Sequence, residues 1–319
     1  MDICLLLADH CSAASATMAQ EFFRAANLFA DAPVFRVISA SWDGQAVPTM
    51  SGQMLQVDAA ISDVGKMDLV VVPGFLLTLR EALPSFARYR TWMRYQHAAG
   101  ATVASMCTAS FLLAECGLLP GVRVTTHWAF ADLFRRRYPD LLLDETRMLH
   151  DEKRVVTSGG ATAAVDLLLY LVERFGTPGL AHKCSRYMLI DHVRSGQSAY
   201  FFWAASKNHH DADVLRVQHW LEDSYAGPLV IDEVAQRFGF GIRNFKRRFK
   251  EATGSAPLAY LQMLRLQKAM HLLETTRQSL ETITGEVGYA DSSSFSRLFQ
   301  SRVGIPPSAY RRKFQAKKR

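Results

Sequence analysis

The stretch SMCTAS, residues 105–110, lies where an apolar run passes into a helix-forming run, and it decides the fold class of the first 200 residues. The run ATVASM leading into it has the composition of a buried strand, and the run TASFLLAECGLL leading out is typical of a helix. A cysteine at a strand-to-helix turn occupies the place where a thiol nucleophile would sit. Cys107 is therefore either a working nucleophile or part of a site that has lost its chemistry.

Strand-like and helix-like segments alternate on both sides of this turn. Besides ATVASM, the strand-like runs are ICLLLA (3–8), FRVISA (35–40), DLVVVPG (68–74), VRVTTHW (122–128) and RVVTSG (154–159). The helix-like runs between them include TMAQEFFRAANLF (17–29), RYRTWMRYQHAA (88–99), AFADLFRRRY (129–138) and AAVDLLLYLVERF (163–175). Alternation of this kind predicts an α/β domain with a largely parallel sheet.

Three residues of interest follow predicted strands directly. Gly74, Cys107 and His127 each stand at or just beyond the carboxyl end of a strand-like run. Ligands of parallel α/β sheets bind outside the carboxyl ends of the strands, so these three residues are expected to converge on one site.

The last third of the chain contains an internal repeat. The segment 231–261 aligns with 280–311 at an offset of 49 residues through Gly239 and Gly288, and at 50 from Phe245 and Phe295 onward. Each copy reads as a helix, a turn with glycine and a second helix, which is the helix-turn-helix arrangement. Two copies indicate a paired module rather than a solenoid, which needs at least three.

The second helix of each copy is expected over 242–253 and 292–303. Phenylalanines four residues apart would face the core, and the outer face would carry donors for bases and phosphates. A linker helix over about 256–274 would join the two copies. The predicted DNA-contacting residues are Arg243, Asn244, Lys246, Arg247, Lys250, Ser293, Ser294, Ser296 and Arg297.

The positive charge is confined to the same part of the chain. The whole sequence has a net charge of +7. Residues 211–319 contain 18 basic and 11 acidic side chains, whereas residues 1–210 contain 19 of each. A neutral domain joined to a cationic one indicates a module that binds a polyanion.

The cationic module resembles the AraC-type DNA-binding domain, in which a linker helix joins two helix-turn-helix units. The ending GIPPSAYRRKF, residues 304–314, is similar to that family's closing signature. One departure is Thr284, where the family usually has alanine, and only a local change in packing is expected there. The resemblance implies that double-stranded DNA is a partner.

The first domain resembles the ThiJ/PfpI branch of the class I glutamine amidotransferase-like fold, a flavodoxin-like sandwich. VVVPGF (70–75) looks like the loop that supplies oxyanion contacts, SMCTAS like the nucleophile elbow, and VTTHW (124–128) like the segment that carries the histidine. A ThiJ/PfpI-like domain followed by an AraC-type domain resembles the GlxA family of transcriptional regulators. The expected organisation is a sensing and dimerisation domain (1–195), a linker (196–213), a DNA-binding domain (214–314) and a basic tail (315–319).

Two functions remain open at this stage. In the proteolytic branch a histidine follows the cysteine, where this chain has Thr108, and other members place a carboxylate where it has Ser15, with Asp9 and Glu21 not far away. The incomplete constellation favours a small-molecule effector pocket over catalysis, and the resemblance suggests an amine, an amino acid or a betaine. The alternative is an amidase- or deglycase-like enzyme tethered to DNA. The expected effector-binding residues are Gly74, Phe75, Cys107, Thr108, His127 and Trp128.

The remaining expectations concern compartment, cofactors and partners. The five cysteines lack any C-x-x-C pair, which fits reduced thiols, and the short apolar run at the N-terminus fits a buried strand rather than a signal peptide. We therefore expect a cytoplasmic protein without a membrane segment, a catalytic residue, a cofactor or a metal ion. The resemblance implies a homodimer, with RNA polymerase as a further partner.

Overall fold

The computed structural model divides the chain into two compact units, Met1–Ser198 and Ala199–Arg319. It describes residues 1–190, 194, 196–201 and 207–315. The boundary between the units falls inside the segment 196–213, which the sequence indicates as a linker. The predicted basic tail lies outside the described residues, except for Gln315. The predicted α/β domain followed by an all-α domain of two helix-turn-helix units is confirmed.

The first unit is built from eleven described strands and seven described α-helices. The strands are β1 (Asp2–Leu6), β2 (Arg36–Ser41), β3 (Val47–Pro48), β4 (Met54–Leu55), β5 (Ala59–Ala60), β6 (Leu69–Val72), β7 (Thr102–Ser105), β8 (Arg123–Val124), β9 (Leu142–Leu143), β10 (Leu149–Glu152) and β11 (Val155–Ser158). The helices are α1 (Ala13–Phe29), α2 (Leu79–Ala82), α3 (Arg90–Ala98), α4 (Ser110–Glu115), α5 (Ala131–Arg137), α6 (Ala163–Phe175) and α7 (Pro178–Tyr187).

Seven strands form one sheet in the order β10-β11-β7-β6-β1-β2-β5. All neighbouring pairs are parallel except β10 and β11, so the carboxyl ends of β1, β6, β7 and β11 lie along one edge. β6, β7 and β11 are buried along their whole length, and β1 is buried except at Asp2, as the continuous apolar runs predict. This edge receives the turn that contains Cys107.

The predicted strand over 122–128 is wrong in its extent and its place. In the structure only Arg123–Val124 is a strand, and it pairs with β9 in a separate two-stranded sheet. Thr125 and Thr126 are buried and polar, and their hydroxyl groups bond to neighbouring segments rather than to a ladder partner. His127 therefore reaches the site from a loop and not from a strand of the main sheet.

The second unit consists of seven described α-helices around two cores. They are α8 (Ala212–Ser224), α9 (Ile231–Arg237), α10 (Ile242–Thr253), α11 (Pro257–Thr275), α12 (Leu280–Glu286), α13 (Ser292–Val303) and α14 (Pro307–Phe314). The first core joins α8, α9 and α10, and the second joins α12, α13 and α14. The linker helix α11 serves both, with Tyr260, Leu261 and Leu264 in the first core and Leu266, Ala269 and Leu273 in the second.

Glycines and caps set the helix ends that the repeat predicts. α10 and α13 both end at a glycine in the left-handed region, Gly254 with φ +77° and Gly304 with φ +84°. The turns before them contain Gly239 (φ +75°) and Gly288 (φ +84°). Thr284 is buried and its hydroxyl donates to the Leu280 carbonyl oxygen, so its accommodation within α12 is local. Among the described residues, no helix is long and apolar enough to cross a membrane.

Candidate functional site: a cysteine turn and two recognition helices

The Cys107 turn has a strained backbone at the carboxyl end of β7. Cys107 has φ +56°, which is uncommon for a residue with a side chain and typical of functional turns. Gly74, after β6, lies against it. A Cβ on Gly74 would lie 3.0 Å from the Cys107 Cβ and 3.1 Å from the Met106 carbonyl oxygen. The two loops meet as predicted, and only glycine fits at position 74 without a shift.

The backbone donors beside this turn are already occupied. The N–H groups of Phe75 and Leu76 both donate to the Thr108 Oγ1 at 2.9 Å. An oxyanion site needs such donors to be directed at the position of developing charge. In this protein the Thr108 hydroxyl oxygen accepts both N–H groups. The Phe75 ring is fully buried and packs on Phe86 with ring centroids 4.6 Å apart, so it belongs to the core rather than to an open wall.

The Cys107 thiol is held in its protonated form. Its side chain is 1% exposed, and burial raises its pKa to about 12, while hydrogen bonds from the Thr108 backbone and side chain act in the opposite direction. A thiolate is the nucleophilic form of cysteine, and reactive cysteines have a lowered pKa. The environment of Cys107 instead raises the pKa of the thiol.

The side chains that could poise this thiol are engaged elsewhere. Ser15 is buried and its hydroxyl donates to the Ser12 Oγ at 3.2 Å. The Asp9 carboxylate is paired with the Arg88 guanidinium at 3.0 Å, and Glu21 is exposed on α1. The structure thus gives no carboxylate contact to Cys107 from the three positions considered in the sequence.

His127 and Trp128 stand beside the turn. The Thr126 hydroxyl donates to the Cys107 carbonyl oxygen at 3.3 Å, which brings the His127 segment to the turn. His127 Nδ1 accepts the Ala129 N–H at 3.1 Å, and burial lowers the pKa of the imidazole. Its Nε2 would lie 3.5 Å from a Cβ on Gly160, so this nitrogen is directed toward Gly160. The ring is neutral at pH 7 and lies 5.6 Å from Trp128 between centroids.

In the second unit, α10 presents a cationic face. Phe245 and Phe249 are fully buried, whereas the five predicted DNA contacts of this helix are exposed: Arg243, Asn244, Lys246, Arg247 and Lys250. Two of the cations have partners within the unit. Lys246 pairs with Asp232 at 2.6 Å, and Arg247 pairs with Glu251 at 2.8 Å. No ion pair or hydrogen bond of the Arg243 side chain occurs among the described residues.

Arg248 shows which cation of α10 is structural. It is half-buried, pairs with Asp211 at 2.6 Å and Asp213 at 3.0 Å, and lies over the Phe240 ring. Asp211 caps α8, because its side chain accepts the Val214 N–H. Arg248 therefore fastens α8 to α10.

The second recognition helix, α13, has a different first turn. Phe295 and Phe299 are buried, Ser293, Ser294 and Arg297 are exposed, and Ser296 is half-buried. The Asp291 carboxylate caps the helix by accepting the N–H groups of Ser293 at 3.3 Å and Ser294 at 2.7 Å. The Ser294 hydrogen bonds lower the pKa of this carboxyl. The corresponding position before α10 is Gly241, which provides no side-chain cap.

Comparison with known proteins follows the division into two units. A model of the DJ-1/PfpI family matches residues 1–174, and a helix-turn-helix domain model matches residues 234–313. The HTH-type transcriptional regulator GlxA of Rhizobium meliloti is 27% identical over 307 residues, covering 95% of this chain and 92% of GlxA. The HTH-type transcriptional regulator CdhR of Pseudomonas aeruginosa is 32% identical over 292 residues, covering 91% of this chain and 85% of CdhR. The chain belongs to the GlxA-like transcriptional regulators.

Solved structures establish the fold of the regulator's first unit. Drosophila melanogaster DJ-1beta matches with a TM-score of 0.52 at 19% identity, over 60% of this chain and 98% of that chain. An AraC family transcriptional regulator from Pseudomonas putida matches with a TM-score of 0.51 at 24% identity, over 59% of this chain and 98% of that chain. Both support the flavodoxin-like sandwich.

Two residues of the GlxA-like regulator escaped the sequence prediction. Gln197 was assigned to the linker, yet its side chain is buried beside the His127 segment. Asp291 is not among the residues that the sequence analysis singles out, yet its carboxylate caps the N-terminus of α13. An aspartate three residues before Ser294 at a helix start is a capping signal, so Asp291 could have been identified. No sequence pattern near Gln197 predicts that its side chain is buried.

Proposed function

We propose that this GlxA-like regulator binds a small organic cation in its first unit and that this binding controls how its second unit binds DNA. The observation that carries the proposal is the state of the Cys107 turn. Its backbone donors are occupied by Thr108, and its thiol is buried and protonated. A site built in this way is suited to binding rather than to bond cleavage.

The ligand class is argued from the aromatic groups around His127. The ring lies 5.6 Å from Trp128 and 5.8 Å from Phe130, and it carries no charge at pH 7 because burial lowers its pKa. Cations bind over aromatic faces, and a neutral imidazole does not repel them. We infer an amine, an amino acid or a betaine as effector, with Gly74, Cys107, Thr108, His127 and Trp128 around it and Phe75 supporting the loop from the core.

On the DNA side, α10 and α13 would enter successive major grooves. The 19 residues of α11 span roughly 28 Å, close to one turn of B-DNA at about 34 Å. The exposed cations of α10 and the exposed hydroxyls and Arg297 of α13 would contact bases and phosphates. A homodimer would place two such pairs on one site, and RNA polymerase would be a further partner. Both of these partners, and a cytoplasmic location, are inferred from family membership.

The rival function is an amidase- or deglycase-like cysteine enzyme whose second unit tethers it to DNA. It would need a thiolate at Cys107 and free donors at Phe75 and Leu76. Against it stand the burial of the thiol, which raises its pKa, and the Thr108 hydroxyl, which accepts both N–H groups. We therefore infer that the regulator does not turn over substrate.

One set of experiments separates the two functions. The full chain is used to select binding sites from a random library of duplexes, and affinity is then measured by gel shift with and without each of a panel of amines, amino acids and betaines. We expect a selected sequence and at least one compound that raises the melting temperature of the protein and changes DNA affinity. Steady-state hydrolysis of glutamine-like amides, or conversion of glyoxals, together with no ligand-dependent change in DNA affinity, would overturn the proposal.

A further inference from the structure

The chain leaving the first unit is fastened to the candidate effector site by a buried glutamine. The Gln197 side chain is 2% exposed. Its Nε2 donates to the Thr126 carbonyl oxygen at 2.7 Å and to the Thr125 Oγ1 at 3.2 Å, while its Oε1 accepts the Gly160 N–H at 3.1 Å. Thr126 precedes His127 and bonds to Cys107, and Gly160 faces the His127 ring. Gln197 therefore contacts both sides of the site.

The backbone of the same segment is fastened as well. The Gln197 N–H donates to the Thr146 carbonyl oxygen at 2.9 Å, and Gly196 forms an antiparallel bridge with Arg147. A Cβ at position 196 would lie 2.8 Å from the Thr146 oxygen, so the close approach requires glycine. Gly196 and Gln197 are thus integral parts of the first unit.

Two residues later, the chain is fastened in the second unit. Ala199 is buried in the core that contains α12, α13 and α14. The Tyr200 ring packs edge-on against Phe314 with centroids 5.5 Å apart, and the Lys313 ammonium lies 4.4 Å from the centre of the Tyr200 ring. Ser198 alone separates the two fastened segments. Within the described residues, the chain thus enters the second unit at the core of the second helix-turn-helix.

We propose that Gln197 is the positioning residue that couples ligand occupancy beside His127 to the second helix-turn-helix. This inference rests on the proposed function, because it assumes a ligand at that site. A ligand pressing on His127 or Gly160 displaces their neighbours, and the Gln197 amide follows because leaving its buried partners unpaired is costly. Because only Ser198 lies between Gln197 and Ala199, a displacement of Gln197 also moves Ala199 and Tyr200, whereas a longer flexible linker would absorb it. Coupling of two sites needs a physical connection of this kind.

Thermodynamic reciprocity allows a test that needs no identified effector. If the site and the DNA-binding unit are coupled, DNA must alter the site. The reporter is the rate at which iodoacetamide alkylates Cys107 in the full chain, followed by peptide mass mapping, with and without a duplex obtained by selection. The variants are Gln197→Ala and an insertion of two glycines after Ser198, which leaves every contact of Gln197 in place.

The matched control is Gln96→Ala. Gln96 is also a fully buried glutamine of the first unit, bonded to the Met67 N–H and the Gly65 carbonyl oxygen, but those residues lie before β6, at the amino edge of the sheet. Its loss removes a comparable set of hydrogen bonds at the edge opposite Cys107.

We expect DNA to change the Cys107 alkylation rate of the unmodified chain and of Gln96→Ala at least about fivefold, the lower end of typical couplings. Gln197→Ala and the glycine insertion should reduce that change to less than about twofold, with DNA still bound. An unresponsive Cys107 in the unmodified chain, or a full response in either altered chain, would overturn the proposal. Loss of the response in Gln96→Ala would also overturn it. Failure of the unmodified chain to bind any duplex would instead refute the proposed function itself.

Discussion

Replacing Arg243 with alanine should weaken DNA binding more than replacing Arg247, the other arginine on the exposed face of α10. The Arg243 side chain is exposed and, among the described residues, makes no ion pair, so a contact with a base would break no ion pair that the structure describes. A bidentate contact between arginine and guanine contributes about 1–3 kcal/mol, and the expected loss in affinity is therefore roughly 5- to 150-fold. Arg247 differs, since its pair with Glu251 must be broken or shared. Exposed pairs of that spacing contribute about 0.3–0.5 kcal/mol, and Arg247→Ala should cost less by at least that amount.

The assay is a gel-shift titration of both variants on a selected duplex, followed by footprinting and by a second selection with each variant. Arg24→Ala, which removes an exposed arginine from α1, is the control for net charge. We expect Arg243→Ala to relax base preference in one of two protected segments about 10 base pairs apart. An equal loss on all sequences would make Arg243 a phosphate contact. Protected segments half a turn apart would refute the docking of α10 and α13 side by side.

Three further outcomes are expected. Cys107→Ala should leave DNA affinity unchanged in gel shifts and lower the effector response at most several-fold, because the thiol is buried and protonated. Loss of all regulation with ligand binding intact would instead indicate that Cys107 reacts covalently. Fragments beginning at residue 199 or 211 should both bind DNA, with log affinity falling linearly with log salt. The longer fragment should melt about 4–8 °C higher by circular dichroism, because it keeps the aromatic pair of Tyr200 and Phe314, which contributes about 1 kcal/mol; equal melting temperatures would contradict that role. Burial lowers the pKa of His127 below 6.5, so the imidazole binds a proton more readily in the unfolded chain than in the folded one. The free energy of unfolding should therefore fall as the pH drops from about 7.5 to about 5, and urea titrations should show a smaller fall for His127→Asn.

The recognition helices could be read from the sequence almost residue by residue. The bounds 242–253 and 292–303 agree with α10 and α13, because inward phenylalanines four apart and a closing glycine fix both the period and the end of each helix. The central strands β1, β6, β7 and β11 could also be predicted, because a strand that is buried on both faces has a continuous apolar sequence. The linker helix, predicted over about 256–274, occupies Pro257–Thr275. It buries side chains in two cores, with Leu261 and Leu264 in the first and Leu266, Ala269 and Leu273 in the second.

The chemistry of the first unit could not be read in the same way. Thr108 lies 33 residues from Phe75, and no periodic pattern reports that its hydroxyl takes two backbone donors. The same holds for Gln197, which lies 71 residues from Thr126. The segment before His127 has the β-branched composition of a strand, yet the hydroxyls of Thr125 and Thr126 donate to the Arg147 and Cys107 carbonyl oxygens. Side-chain hydrogen bonds between distant segments lie beyond what composition and period can predict.

The acidic cap of α13 also bears on how such regulators diverge. Asp291 saturates the first N–H groups of the second recognition helix and puts a negative charge where a phosphate would otherwise bind. Gly241 leaves the start of α10 open to a phosphate. In the proposed docking, α10 would hold one half of the operator through both its phosphate backbone and its bases, and α13 would hold the other half mainly through the side chains that follow the cap. Mutations in the second half of an operator would then be tolerated or compensated through single serine changes in α13, and target genes could be gained or lost there while the first half stays anchored.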